Sequence, residues 1–559
     1  MDGSGGPSFT ADVAIVGDTI VAVGNIEGSA VREIDADGFL VTPGFVDIHT
    51  HYDGQVIWSD RLQPSSNHGV TTVLTGNCGI GFAPCLPEHH AKLVDMMEGV
   101  EDIPEAVSTV GLTWDWETFP EYLDAVESRS HDIDVAALLP HSPLRAYAMG
   151  DRGIAREPAT SADLERMKEL TREALSAGAL GFATSRIAIH RTSRGDHIPS
   201  FSTDEAELHA MADVLREEKA GLFQLVSNMG FASFADEFDM MTRVAERAGR
   251  SLTYTQGEPP AADQVFQKLA DVNARGIGIK AQVFPRPIGL IVGIETSVHP
   301  FSLCPSYAPL ENKTRSEIVE AMRDPDLRSK LLSEPPDNPS NPVFLMARQF
   351  DMIFPIGSDS IDYEPDPSQS VAARAQREGL SPEELCYDLL LEEDGKRLLM
   401  VAIANYRNGN LDYVETAFRD ENVVMGLGDG GAHYGMICDA SYTTFALSYW
   451  TRDRSKGRFS VEDMVHSLAR KPAELIGLRD RGLISPGYRA NLNVIDYDRL
   501  RVLPPEIRHD LPGGGKRLHQ RAEGYVATVV NGVVITEYDT PTNALPGRLV
   551  RGAQEPAQL

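Results

Sequence analysis

The chain has 559 residues, of which 82 are acidic and 51 basic, so its formal net charge is −31 at pH 7. This length accommodates a large enzyme domain with an accessory domain. The charge argues against nucleic acid as a partner, because a polyanion would be repelled. Hydrophobic residues make up 42% and charged residues 24% of the chain, which is the composition of a folded globular protein.

Neither the cysteines nor the hydropathy indicates secretion or a membrane partner. The five cysteines are an odd number spread over the chain, unlike the dense pairs of a disulfide-stapled secreted domain. No stretch approaches the roughly 18–20 uninterrupted apolar residues that span a bilayer. The first residues also lack a basic region followed by an apolar one. We therefore expect a soluble cytoplasmic protein.

Short β-strand patterns mark both ends of the chain. They occupy residues 11–23, 490–497 and 525–538. The last of them contains Asn531-Gly532, the strongest two-residue hairpin signal. We expect residues 1–40 and 481–559 to form one small β-sandwich domain built from both termini.

Between these ends, apolar strand patterns alternate with helical patterns. Eight strand patterns occur at residues 44–49, 70–76, 133–139, 179–185, 221–227, 251–256, 276–284 and 423–429. Among the helical patterns, residues 161–179 carry one apolar stripe, and Ser202 with Glu205 has capping-box spacing. Strands alternating with helices predict an α/β fold, a TIM-type (β/α)8 barrel over residues 41–480.

The segment between the seventh and eighth strand patterns is too long for a simple connection. Residues from about 299 to 410 far exceed the roughly 2–6 residues of an ordinary link between barrel elements. They contain both proline-rich and helical stretches. We expect an insertion that covers the barrel mouth as a lid or subdomain.

The strongest chemical signal is the segment VTPGFVDIHTHYDG at the end of the first strand pattern. His49 and His51 are two residues apart, so strand alternation places both imidazoles on one face. At the C-terminal end of a barrel strand that face looks into the mouth. Two converging imidazoles suit a divalent metal, although a bare His-x-His also occurs in ordinary turns.

Two glycine-rich segments at other strand ends carry further candidates. In TGNCG, Cys78 can ligate a metal as a thiolate or pack as a small buried hydrophobe. In GLGDGGAH, Asp429 can bind a metal, accept a proton from water, or form a turn. His433 follows four residues later and is a candidate substrate contact. The catalytic interpretation depends on combining these segments with the paired histidines.

Three more polar side chains stand at strand ends as candidates for substrate binding. His141 ends the third strand pattern, Arg186 the fourth and Arg286 the seventh. An imidazole there can hydrogen-bond a substrate oxygen, and a guanidinium can hold a substrate anion. Each also has a structural interpretation, as a buried histidine or as an arginine that balances nearby acids.

Together these motifs carry a family resemblance over most of the chain. The sequence resembles the amidohydrolase superfamily, and within it the N-acyl-D-amino-acid deacylase (D-aminoacylase) family. The resemblance rests on PGFVDIHTHYDG, GVTTVLTGNCGIGFAP, GALGFATS, GLGDGGAH and PGYRANLNV. It implies a barrel with a composite β-sandwich domain, zinc at the barrel mouth and hydrolysis of an amide bond.

The resemblance also implies roles for single residues. His49 and His51 would be metal ligands, and Cys78 would replace the carboxylated lysine or carboxylate that bridges two metals in relatives. Asp429 would be both a ligand and the general base.

The sequence departs from the family where relatives carry two further metal-binding histidines. The ends of the fifth and sixth strand patterns read GLFQLVSNMG and SLTYTQGEPP, without histidine. We therefore expect either one zinc ion or two. The basic residues that bind the substrate carboxylate in the family are also missing after the sixth strand pattern.

These observations lead to a functional expectation with two alternatives. We expect a metal-dependent hydrolase of a small amide, most like an N-acyl-D-amino-acid deacylase, with homo-oligomer formation left open. The first alternative is a hydrolase of a cyclic amide or imide, or of another non-peptide amide, with a single metal. The second is a barrel that has lost its metal and acts as a binding protein.

Overall fold

Eight parallel strands in sequence order form the centre of the molecule, for which a computed structural model describes residues 1–230 and 233–558. The strands are Phe45–Asp47, Val70–Thr75, Asp134–Ala137 continued by Leu139–Pro140, Gly181–Ser185, Leu222–Val226, Leu252–Thr255, Ile279–Val283 and Val423–Met425. Each pairs in parallel with the next. A parallel bridge between Thr50 and Gly430 joins the last to the first. The predicted (β/α)8 barrel is confirmed, and all eight strands lie where the sequence predicts them.

Helices cover the outside of this barrel, so its strands are buried on both faces, as parallel strands usually are. These helices are Gln55–Trp58, His90–Glu101, Glu105–Gly111, Phe119–Glu127, His141–Met149, Asp151–Ile154, Ser161–Ala177, Glu205–Glu218, Phe234–Ala248, Ala262–Ala274, Asp412–Phe418, Tyr442–Ser448, Val461–Leu468 and Arg470–Leu475. Among the described residues, no helix combines the length and apolar character that crossing a membrane requires.

Two helix starts show how local sequence signals succeed and fail. Helix Ser161–Ala177 begins at a complete capping box between Thr160 and Asp163. The capping box predicted from Ser202 is wrong, because that helix begins at Glu205 and is preceded by Asp204. Ser202 instead has a φ of +57°, in the left-handed region, and so belongs to a turn.

The long connection between the seventh and eighth barrel strands folds around its own core. Its three antiparallel strands are Ile288–Val292, Ile353–Pro355 and Leu399–Ala404, and its helices are Arg315–Met322, Pro325–Ser333, Pro342–Ala347, Val371–Glu378 and Pro382–Leu391. Its apolar cluster includes Val292, Phe301 and Met322. Ile291 N donates to Met436 O at 2.7 Å, so the insertion braces the loop that follows the eighth strand.

Strands from both ends of the chain share one sheet. The order is Thr540–Pro541, Val533–Glu537, Tyr525–Val530, Leu492–Ile495 and Leu40–Pro43. The hairpin of Asp12–Val16 and Thr19–Gly24 packs against it, since Ile20 joins Leu492 and Val494 in one apolar cluster. Two smaller pairs complete this part, Arg501–Val502 with Ala522–Glu523 and Glu506–Arg508 with Arg517–His519. The domain limits at residues 40 and 481 stay a prediction.

A buried ion-pair network ties this terminal sheet to the barrel. Asp134, on the third barrel strand, accepts from Arg481 at 2.8 Å and from Asn531 Nδ2 at 2.8 Å. Arg481 also donates to Asp480 at 2.9 Å, and its side chain is 3% exposed. Arg481 therefore balances the buried carboxylate of Asp134 and shares that of Asp480 with Arg489, whose Nε lies 3.1 Å from it.

We predict that Arg481→Met lowers the free energy of unfolding by about 3–5 kcal/mol, because removing one partner leaves buried charges unpaired. Urea denaturation followed by circular dichroism measures this change. The matched control is Arg501→Met, which breaks the ion pair between Arg501 and Glu523. These two side chains are 52% and 34% exposed. The control substitution should cost no more than about 1 kcal/mol, and equal losses in the two variants would contradict the role given to Arg481.

Candidate metal centre

Backbone hydrogen bonds between the first and eighth strands bring two distant segments together at the barrel mouth. Asp429 N donates to His49 O at 3.0 Å, and His51 N donates to Gly430 O at 2.8 Å. Both imidazoles are 1% exposed, whereas the Asp429 side chain is 20% exposed. The carboxylate thus stands beside two buried rings and faces the open mouth.

Four side-chain donor atoms converge at this point. Cys78 Sγ lies 3.4 Å from His49 Nε2 and 3.7 Å from His51 Nε2. Asp429 Oδ1 lies 3.4 and 3.6 Å from the same two nitrogens. Zinc–ligand bonds of about 2.0–2.3 Å place neighbouring donors of a tetrahedron about 3.3–3.6 Å apart. These four separations fit donors that share one divalent ion. His49, His51 and Cys78, whose donor atoms lie within 4.8 Å of one another, form a potential metal-binding group, and the Asp429 carboxylate stands beside its two imidazoles.

The Cys78 loop is held in a backbone conformation that aims its thiol at the imidazoles. Cys78 has a φ of +58°, in the left-handed region that costs a side-chain-bearing residue about 1–2 kcal/mol. Its N–H donates to Gln224 Oε1 at 3.1 Å. A Cβ on Gly79 would lie 2.6 Å from Thr184 Cα, so only glycine allows this loop to approach the fourth strand. Strained residues of this kind concentrate at functional sites.

A glutamine behind the cluster orients the first imidazole. Gln282, on the seventh barrel strand, is 1% exposed, and its Oε1 lies 2.7 Å from His49 Nδ1. An amide oxygen only accepts, so His49 carries its proton on Nδ1 and presents the Nε2 lone pair to the cluster. The strand patterns in the sequence did not single out Gln282.

Glu101 is a second residue that the sequence reasoning missed. It ends helix His90–Glu101, its side chain is 2% exposed, and its Oε1 lies 3.5 Å from His51 Nδ1. Its Oε2 lies 3.3 Å from His433 Nε2. Burial, together with the charges of Asp429 and Asp53, raises the pKa of Glu101 well above its usual value. The segment MMEGVEDI mixes apolar residues with three acidic ones, so nothing in the sequence singled out Glu101.

Two histidines were expected to bind substrate. His433 lies beside the metal-binding cluster, whereas His141 has no ring nitrogen left for a substrate. The His433 side chain is 25% exposed and is held by Glu101. Both ring nitrogens of His141 have protein partners, Thr184 Oγ1 at 2.8 Å and Glu207 Oε1 at 2.6 Å, and the residue is fully buried. These contacts favour the structural interpretation of His141.

The two arginines at strand ends are also committed to protein partners. Arg186 lies 3.3 Å from Glu237 Oε1 and donates to Thr203 O at 3.1 Å. Arg286 is 1% exposed and donates to Asp439 at 2.9 Å and to Ser441 at 2.8 Å. Each guanidinium is therefore neutralised by a neighbouring carboxylate.

The ends of the fifth and sixth strands carry amides. Gln224 accepts from the Cys78 backbone as described, and Gln256 Nε2 donates to Gly257 O at 2.5 Å. Amides are poorer zinc ligands than imidazoles. The ends of the fifth and sixth strands thus offer no imidazole for a second metal.

The protonation states of the cluster follow from its burial. Desolvation lowers the pKa of His49 to about 4 and that of His51 to about 3, so both rings are neutral at pH 7. Burial also raises the pKa of the Cys78 thiol well above its usual value, and the charges of Glu101, Asp429 and Asp53 act in the same direction. The thiol must therefore lose a proton when it binds a metal.

A (β/α)8 barrel with a His-His-Cys-Asp cluster at its mouth has the features of a metal-dependent hydrolase. The model of the amidohydrolase family matches residues 32–536. The chain belongs to the amidohydrolase family, and it is a hydrolase of carbon–nitrogen bonds other than peptide bonds.

Relatives in this family include proteins with and without a known activity. An uncharacterized protein of Mycobacterium tuberculosis (strain ATCC 25618 / H37Rv) is 28% identical over 579 residues, covering 96% of this chain and 90% of that protein. N-acyl-D-glutamate deacylase of Alcaligenes xylosoxydans xylosoxydans is 30% identical over 295 residues, covering 51% of this chain and 55% of the enzyme.

Solved structures of related fold cover nearly the whole chain. D-aminoacylase aligns with a TM-score of 0.64 and 21% identity, over 98% of this chain and 97% of its own. N-acyl-D-glutamate deacylase from Bordetella bronchiseptica, solved with zinc and a phosphonate inhibitor, aligns with a TM-score of 0.64 and 22% identity over the same shares. At this identity the likeness shows the fold.

We predict that Gln282→Met weakens metal binding by roughly 10- to 100-fold, because His49 loses the partner that fixes its tautomer. Competition with a chromophoric chelator measures the affinity. Gln267→Met, on the exposed face of helix Ala262–Ala274, should bind metal like the unaltered protein. Unchanged affinity in the Gln282 variant would show that this contact does not orient the ring.

We predict that metal affinity rises by about tenfold per pH unit between about pH 5.5 and 8, because binding expels the Cys78 proton while both imidazoles are already neutral. The same competition assay across pH measures the slope. Cys78→Ala should flatten it, whereas Cys304→Ala, a buried cysteine of the insertion core, should keep it. A steep slope in the Cys78 variant would assign the released proton to another group.

Proposed function

We propose that the chain hydrolyses the amide bond of a small substrate at a single zinc ion held by His49, His51, Cys78 and Asp429. The observation that carries this proposal is that the Cys78 thiol and the Asp429 carboxylate both lie within 3.4–3.7 Å of the two imidazole Nε2 atoms. Because all four of these donor residues are present, they argue against the alternative of a barrel that has lost its metal and acts only as a binding protein.

The donor set supports zinc, and the surrounding amides support one ion. Two nitrogens, one sulfur and one oxygen match the ligands that zinc takes in proteins. The related deacylase from Bordetella bronchiseptica was solved with zinc. Gln224 and Gln256 are engaged with backbone groups at the ends of the fifth and sixth strands, which supports a mononuclear centre.

The chain's own residues then divide the work of hydrolysis. When bound, a divalent metal supplies Lewis acidity, which polarises the scissile carbonyl and makes water a stronger acid. Asp429 accepts the proton of the attacking water, because its carboxylate reaches the open mouth beside both imidazoles. It then returns that proton to the leaving nitrogen. His49, oriented by Gln282, stays neutral throughout.

N-acyl-D-amino acids are the first candidate substrates, because relatives are named D-aminoacylase, N-acyl-D-aspartate deacylase and N-acyl-D-glutamate deacylase. Uncharged cyclic amides or imides are the second candidate class. The paired state of Arg186 and Arg286 favours it, because neither guanidinium is free to hold a substrate carboxylate.

We also propose a cytoplasmic location for the protein. All five cysteines are free and buried, which is compatible with a reducing compartment.

We predict that the zinc-loaded protein hydrolyses at least one member of a panel of N-acyl-D-amino acids, N-acyl-L-amino acids and cyclic imides. Asp429→Asn should retain zinc through the other three donors and lose roughly 10²- to 10⁴-fold in kcat, because the amide cannot take a proton. Product analysis by chromatography and metal analysis by mass spectrometry provide the two readouts.

The matched control is Asp420→Asn, which should leave kcat unchanged. Asp420 precedes the eighth barrel strand, at the end opposite to Asp429. An inactive wild-type protein with a full equivalent of zinc would contradict the proposed function. Wild-type turnover by the Asp429 variant would remove this residue from proton transfer but leave the metal centre intact.

A further inference from the structure

His190 is a fifth histidine at the mouth that neither the motifs nor the proposed mechanism uses. It lies in the loop that follows the fourth barrel strand, Gly181–Ser185. Its Nδ1 lies 2.9 Å from the hydroxyl of Ser185, the fully buried last residue of that strand. The strand end therefore fixes the direction of the imidazole.

The loop is clamped to the helix that carries Glu101. A Cβ on Gly99 would lie 2.1 Å from the carbonyl carbon of Thr192, so the loop backbone packs directly on helix His90–Glu101. Ser193 N donates to Asp95 O on the same helix at 3.1 Å. Glu101 at the end of this helix contacts His51 and His433, so the clamp ties the loop of His190 to the helix that lines the metal centre.

A second set of contacts fixes the loop from the other side. Ala188 N donates to Asn228 Oδ1 at 3.0 Å, and Asn228 N donates to Glu237 Oε2 at 3.2 Å. Arg186 binds the same Glu237 carboxylate. The arginine expected to hold a substrate anion therefore holds this loop in place.

The hydrogen bonds around Ser185 assign the tautomer of His190. Ile187 N–H donates to Ser185 Oγ at 3.4 Å. Among the described residues, His190 Nδ1 is the one acceptor for the proton of this buried hydroxyl, so the hydroxyl donates to Nδ1. The ring proton then resides on Nε2. Among residues 1–230 and 233–558, the one side-chain partner of His190 is Ser185 at Nδ1, and Nε2 has none. Burial, with the imidazoles of His433, His51 and His49 nearby, lowers the pKa of His190 to about 3, so the ring is neutral.

We propose that His190 donates a hydrogen bond from Nε2 to the scissile carbonyl oxygen of the substrate and stabilises the negative charge that develops there. This inference rests on the proposed amide hydrolysis. When water attacks the carbonyl carbon, the carbonyl π electrons move to oxygen, and Asp429 takes the water proton. When the carbonyl re-forms, the C–N bond breaks and the nitrogen receives that proton. His190 keeps its own proton throughout.

A neutral donor suits this place better than a cation. Burial and the neighbouring imidazoles of His433, His51 and His49 all act against an imidazolium at this position. A neutral N–H at a fixed position stabilises developing negative charge without a change in protonation, and removing one such donor typically costs roughly 10²- to 10³-fold in kcat.

The test compares His190→Phe and His190→Gln with the wild-type protein on whichever panel substrate turns over fastest. The phenylalanine variant removes the donor at similar volume and should lose roughly 10²- to 10³-fold in kcat, with little change in KM and with unchanged zinc content. The glutamine variant supplies a neutral N–H donor and should recover about tenfold or more of that loss. A methylphosphonate analogue of the same substrate, measured by calorimetry, should bind to His190→Phe more weakly by a similar factor.

The matched control is His197→Phe, whose kcat should stay within about twofold of wild type. His197 lies in the same loop, and its ring contacts Arg191 at 3.0 Å. Full activity of His190→Phe in a protein whose wild type is active overturns the inference alone. Equal losses of kcat in the phenylalanine and glutamine variants also overturn it, and so does a raised KM with unchanged kcat in the phenylalanine variant. A zinc-loaded wild type that is inactive on the whole panel overturns the proposed function together with this inference.

Discussion

The backbone pairing of the first and eighth barrel strands is the constraint on which the whole site depends. Thr50 pairs with Gly430, and the neighbouring hydrogen bonds join His49 to Asp429 and His51 to Gly430. The barrel has to close to bring a carboxylate from near the end of the chain against imidazoles from near its start. The metal centre is thus a product of ring closure, and any change that opens this seam separates Asp429 from the two imidazoles.

Much of the fold was predictable because its signals are local. Buried parallel strands are short apolar runs bounded by turn residues. All eight barrel strands lie within the predicted ranges except for Pro140, which ends the third strand one residue beyond its range. Strand alternation alone places His49 and His51 side by side. Cys78 and Asp429 were found because each lies in a glycine-rich segment that ends a strand. Both residues have a left-handed backbone, with φ of +58° and +46°, and the glycines around them are visible in the sequence.

The rest of the site was not predictable, because it depends on contacts between segments far apart in the sequence. Glu101 ends a helix rather than a strand, and only packing brings it to His51. His141 and Arg286 lie at strand ends, as ligands do, yet their side chains bind Glu207 and Asp439. A strand-end position gives the direction of a side chain but not its partner. The same limit explains why Gln282, which orients His49 across the barrel, carries no signal in the sequence.

The charges of the mouth couple its chemistry to its stability. Burial raises the pKa of Asp47 to about 8 and the pKa values of Asp53 and Asp439 to about 6, and the negative charge of Asp429 adds to the effect at Asp47 and Asp439. Buried carboxyls that repel one another favour the protonated form, which is a cost to the fold at neutral pH. A divalent cation beside Asp429 offsets that repulsion and adds its binding free energy to folding. The acidic cluster around the imidazoles therefore makes the barrel mouth a place where cation binding and local order depend on each other.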